Sequence, residues 1–109
     1  MPWLLREGEV LAALEIARGR AARGRGLLGR EGIEGALLLP RTRSVHTVWM
    51  RFPIDVAFCD GDMRVVDIVC VPPYRLTRPR LRARCVIEAE AGAFERWRLV
   101  PGDELEVRE

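Results

Sequence analysis

Two apolar runs, Ile54 to Cys59 and Met63 to Val71, flank Asp60-Gly61, and no other stretch restricts the fold as tightly. Asp-Gly between β-rich runs signals a hairpin, so an antiparallel sheet is expected. Other short runs extend it. Val10 to Ala17 alternates, with Leu14 and Ile16 against Ala13, Glu15 and Ala17, which is the period of a half-buried strand. Pro2 to Arg6 precedes it across a Glu7-Gly8-Glu9 turn. Ala36 to Leu39 reads as a buried strand stopped by Pro40. In Val45 to Phe52, His46, Val48, Met50 and Phe52 fall on one side of a strand. Val45, Thr47, Trp49 and Arg51 fall on the other, and Pro53 interrupts the ladder. Cys85 to Ala91 presents Cys85, Ile87, Ala89 and Ala91 on an apolar face, with Val86, Glu88 and Glu90 opposite. Glu104 to Arg108 is a last strand.

Helix signals are few. Arg20 to Arg25 is a short helix in a glycine-interrupted stretch, followed by a tight turn through Gly26 to Arg30. Gly92 to Arg98 is another, with Phe94 and Trp97 on one side. Pro72 to Arg84 is a loop holding three prolines. Strands that do not alternate with long helices argue against a doubly wound fold. The expected architecture is mainly β (α+β): a single small domain over residues 1–109. It is a curled, mostly antiparallel sheet or half-barrel with one or two short helices.

Composition narrows the function classes. All 18 basic residues are arginine, and lysine, asparagine and glutamine are absent. That points to a coding bias, which weakens any reading of the arginines as selected phosphate ligands. The net charge of +2 sets up no strong field for a polyanion. Cysteines at 59, 70 and 85 have neither metal-ligand spacing nor the even count of a disulfide framework. They suit a reducing cytoplasm, the expected location. No run approaches the ~20 apolar residues of a membrane span, and the first residues do not read as a signal peptide.

Four blocks resemble the domain of unknown function 192 family, small bacterial and archaeal proteins. They are Arg25 to Arg30, Gly35 to Leu39, His46 to Asp55, and Val86 to Gly92 followed by Gly102-Asp103. The resemblance covers about residues 10–107. Leu28 stands where many relatives carry methionine, a volume-conserving change. The resemblance implies a small β-rich fold and no particular reaction.

The candidate site follows from residues that a plain core strand does not need. His46 is the only histidine and shares its expected face with Met50 and Phe52. It reads either as a satisfied core residue or as a donor or base at an open strand end. Asp55 lies in an apolar run, where a carboxylate is costly unless paired or hydrogen-bonded. It is expected either to accept backbone N–H groups or pair with an arginine (Arg64, Arg51 or Arg30), or to converge with His46 on a pocket. Trp49, Met50 and Phe52 would supply apolar walls, and Arg30 a further anchor. Glu88 reads as a solvated or ion-paired face residue. Ser44, the only serine, lacks a nucleophile-elbow pattern.

The resulting expectation is a small non-catalytic binding or accessory domain. Its pocket for a small molecule or peptide would be formed by His46, Trp49, Met50, Phe52, Asp55 and Arg30. No metal or cofactor is expected. A hydrolase or lyase using His46 and Asp55 is the alternative. Nucleic-acid binding by Arg75, Arg78, Arg80, Arg82 and Arg84 is a second, disfavoured one. Short edge strands would permit a homodimer.

Overall fold

The computed structural model describes the backbone of residues 1–109 and the side chains of all but residues 24 and 25. Seven strands and two short helices follow one another as β1 (Trp3–Arg6), β2 (Glu9–Ile16), α1 (Arg20–Arg25), β3 (Ala36–Pro40), β4 (Ile54–Cys59), β5 (Val65–Val71), β6 (Cys85–Glu90), α2 (Ala93–Trp97) and β7 (Glu106–Arg108). They form one sheet in the order β5-β4-β6-β3-β2-β1-β7. Every pairing is antiparallel except β2 with β3. That parallel pair needs a crossover, and residues 17–35, carrying α1, supply it.

The sheet curls but its ladder does not close. The segment before β7 meets the start of β5 at the opposite edge: Val65 N donates to Asp103 O (2.8 Å) and Leu105 N to Met63 O (2.9 Å). The concave face gathers residues from every strand. Leu4, Leu14, Leu38, Ala57, Val65 and Ile87 form its core, and Val107 packs against it. Phe94 and Trp97 of α2 pack on the same core, their rings 5.4 Å apart. The convex face of β3, β6 and β4 builds a second core. There Leu37, Leu39, Ile54, Val56, Phe58 and Val86 meet Leu27, Ile33, Val45 and Met50 from the covering segments. Phe58, Ile54 and Val56 are fully buried, and each contributes roughly 1.5–3 kcal/mol through removal from water.

Gly35 marks how closely the crossover returns to the sheet. Its φ is +75°, and a Cβ there would lie 2.5 Å from the carbonyl oxygen of Ala13. Only glycine fits.

One expectation is corrected. The chain from Val45 to Phe52 is not a strand. His46 makes a single bridge to Leu76, and the surrounding groups bond to the 72–77 loop. Thr47 N donates to Arg75 O (2.7 Å), Tyr74 N to Thr47 O (2.8 Å) and the Thr47 hydroxyl to Pro72 O (2.6 Å). The chain then turns at Trp49, whose φ is +68°, and Met50 N donates back to Thr47 O (3.0 Å). Alternation of side chains therefore did not imply a ladder here, because a buried threonine ties the segment to a loop. The hairpin exists as expected, β4 pairing antiparallel with β5. Met63, not Gly61, takes the left-handed conformation (φ +60°). The Asp60 carboxylate accepts N–H groups of Asp62 (2.9 Å) and Arg64 (3.0 Å).

Candidate functional site

Register decides what can meet. Along β4, Asp55 shares a face with Ala57 and Cys59, the concave one. Along β6, Glu88 shares a face with Val86, the convex one, and lies between Leu37 of β3 and Val56 of β4. Strand side chains alternate, so the two carboxylates stand on opposite sides of the sheet although Asp55 pairs with Ala89, next to Glu88.

Asp55 is buried and satisfied. One of its oxygens, Oδ2, accepts the backbone N–H groups of Gly92 (3.0 Å) and Phe94 (3.1 Å) at the start of α2. It thereby fastens the helix that packs on the concave core. The three arginines considered for it are engaged elsewhere: Arg64 with Glu104, Arg51 with Glu31 at 3.4 Å and Arg30 with Glu15 at 2.5 Å.

Glu88 is 3% exposed, and its Oε1 has no hydrogen-bond partner among the described residues. Burial of this carboxyl drives its pKa up to about 7, with the Arg30 charge pulling weakly the other way. It borders a cavity of about 210 Å³ under α1 and the turn that follows it. Leu27, Leu28, Leu39, Val45 and Met50 give this cavity apolar walls, while Arg23, Thr42, Ser44, His46 and Glu88 supply polar groups. Gly26 closes one side. Its backbone (φ 51°, ψ −124°) is open only to glycine, and a Cβ there would touch Glu88 Oε1 at 3.5 Å.

Of the six residues expected at the pocket, His46 and Met50 line this cavity. Phe52 is half-buried and packs against the convex core beside it. Trp49 is 70% exposed and meets Tyr74 edge to face, ring centroids 5.8 Å apart. Arg30 reaches the cavity only as a nearby charge on Glu88. Asp55 lies beyond the sheet, so it does not converge with His46.

Glu88 is the residue that sequence reasoning placed wrongly. The expected solvated or ion-paired face residue is instead buried with Oε1 unpartnered among the described residues, because the crossover and the 44–53 segment cover that face. A signal was present: Val86 and Ile87 beside it suit a central strand buried on both sides. Arg80 was grouped with the loop arginines. Its guanidinium instead pairs with Asp67 at 2.9 Å and lies 4.4 Å from the Phe58 ring centroid.

The four blocks of sequence resemblance converge here. Gly26, Leu27 and Leu28 come from the first, Leu39 from the second, His46 and Met50 from the third, and Glu88 from the fourth. A curled seven-stranded sheet with a buried carboxyl facing a small cavity defines the class. The chain belongs to the DUF192 family, described as an uncharacterised ACR, whose model matches residues 4–107. It is 39% identical over 62 residues to a UPF0127 protein of Pyrococcus horikoshii, covering 57% of this chain and 54% of that protein. A Thermococcus sibiricus UPF0127 protein is 34% identical over 99 residues, covering 85% of this chain and 64% of the relative. The match thus spans about half the length of the Pyrococcus relative and under two thirds of the Thermococcus one. Two crystal structures share the fold at 24% identity. One, from Novosphingobium aromaticivorans, is of a protein of unknown function (TM-score 0.80, 96% of this chain and 82% of that one). The other, from Sinorhizobium meliloti, is provisionally described as a transcription regulator (TM-score 0.82, 97% and 91%).

Proposed function

We propose that the domain binds a small molecule in the Glu88 cavity and does not transform it. The observation that carries this reading is the buried Glu88 Oε1, which lacks a partner among the described residues and borders that space. An unpaired buried polar atom costs about 1–3 kcal/mol, and a ligand donor group removes that cost. The volume fits a compact ligand: a dry engineered cavity of ~150 Å³ already takes up benzene. Apolar walls with a few polar groups suit an apolar body carrying a hydroxyl, amide or amine. Ser44, His46 and Glu88 share the cavity, yet no hydrogen bond joins any two of them among the described residues. That supports three separate anchors rather than an assembled nucleophile.

The test is thermal melting of the wild type and of Glu88→Leu with a panel of small aromatic and branched alcohols, amides and amines. Hits that raise the wild-type melting temperature and leave Glu88→Leu unmoved support the site. Equal shifts in both proteins, or none in the wild type across the panel, reject it.

A further inference from the structure

Three sulfur-bearing side chains, Cys59, Cys85 and Met63, gather on the concave side of the sheet, away from the Glu88 cavity. Cys59 and Cys85 are directly opposite each other in the β4–β6 register, and both belong to the concave core. The Cys85 Sγ lies 3.5 Å from the Met63 Sδ. Neither cysteine is in a disulfide. Cys59 is fully buried and Cys85 nearly so, while Met63 is half-buried in the Gly61–Met63 turn above them.

Met63 holds a backbone conformation that glycine normally takes in such a turn (φ +60°). Its thioether lies against the Cys85 thiol.

We infer that Cys59, Cys85 and Met63 form a binding site for a soft monovalent metal ion, copper(I) being the natural occupant. Soft thiolate and thioether donors select copper(I), and a three-sulfur set satisfies its low coordination number. Metal–sulfur bonds near the zinc–thiolate value of about 2.3 Å place sulfurs in a trigonal set about 4 Å apart, so the Cys85 and Met63 sulfurs at 3.5 Å need only a small opening. Zinc fits poorly. Structural zinc sites take four ligands from cysteine, histidine and carboxylates, and no group of three such residues gathers among the described residues. Binding releases both thiol protons and leaves an anionic bis-thiolate copper(I) unit with a neutral thioether as third donor. Met63, the most exposed of the three donors, is the way in.

The experiment is anaerobic titration of the fully reduced protein with copper(I) against a chromogenic chelator, repeated with silver(I) as a redox-inert probe. One equivalent should be retained by the wild type and by Cys70→Ser, which removes the exposed third thiol. Cys85→Ser should weaken binding by more than about a hundredfold, above the usual loss for an outer-shell partner, and Met63→Leu by about tenfold. Met63→Leu leaves both thiols in place, so it reads the site even if Cys59→Ser or Cys85→Ser unfolds. Copper lost entirely to the chelator, binding that disappears in Cys70→Ser, or an unchanged affinity in Met63→Leu would each overturn the inference.

Discussion

Asp55 and Glu88 are buried carboxylates on neighbouring central strands, and their opposite treatment separates the two faces of the sheet. Asp55 spends one oxygen on two backbone N–H groups and ties α2 to the concave core. Glu88 borders a cavity with one oxygen unpartnered among the described residues, and its pKa is raised by burial. Both chains of contact begin from residues one register step apart. What differs is the cover. On the concave face a helix start presents donors at the right spacing. On the convex face the covering turn presents Gly26 and leucines, which offer the carboxyl no side-chain donor. The lesson is that burial alone does not tell a structural carboxylate from a candidate ligand group; the donors of the covering segment do.

The contrast breaks most clearly at Asp55. Asp55→Ala orphans two backbone N–H groups and should cost about 4 kcal/mol, at 1–3 kcal/mol per unsatisfied group plus the lost anchoring of α2. Urea unfolding reads this directly, and a loss below about 1 kcal/mol would remove Asp55 from its anchoring role.

Glu88 should behave in the opposite sense. Folding raises its pKa from 4.5 to about 7. The folded state therefore holds the proton more tightly, and its contribution to stability is greatest below pH 4.5. That contribution falls as pH rises to about 7 and is level above it. Glu88→Gln removes this dependence and should be more stable than wild type by up to about 3 kcal/mol at pH 8, with little difference at pH 4. Parallel urea curves at the two pH values decide it; an equal effect at both would mean that Glu88 does not titrate as described.

Gly26→Ala probes the cover itself. The Gly26 backbone excludes a side chain at a cost of about 1–3 kcal/mol. The variant should lose about 2 kcal/mol in chemical unfolding and weaken binding of any ligand that shifts the wild type. Retained stability would show that the turn can adopt another conformation.

The smallest effect is expected at Arg30. Its pair with Glu15 is largely exposed, so Arg30→Ala should cost under about 1 kcal/mol. Arg30 draws the Glu88 pKa down, so removing it should move the carboxyl's titration to higher pH, followed by carbon NMR of the Glu88 side chain. An unmoved titration would place Arg30 outside the reach of the cavity.

Much of the fold was readable from local pattern. β4, β6 and α1 begin where expected, and the half-barrel follows from short strands with turn signals between them. The parallel β2–β3 pair was not visible, because it depends on a crossover whose glycines resemble an irregular loop. Val45 to Phe52 was misread because alternation cannot distinguish a ladder from a segment tied down by Thr47. The candidate site was half legible. His46 and Met50 stood out by type, and the acceptance of backbone N–H groups by Asp55 was one of its two legible readings, whereas Glu88 was hidden by its strand's charge alternation and the face that Asp55 takes was not visible. Face assignment needs register, and register is a property of pairing rather than of one strand.

The pairing of β1 with β7 has a kinetic consequence. Trp3 lies opposite Arg108, almost the whole chain away, whereas β4 and β5 are joined by one short turn. Loop closure favours the near pair and delays the far one. The β4–β5 hairpin should therefore assemble early, and the concave core should seal only when the last strand docks beside the first. A chain still missing β7 on the ribosome would leave Leu4 and its neighbours open to solvent, the stage at which this domain is most exposed to aggregation.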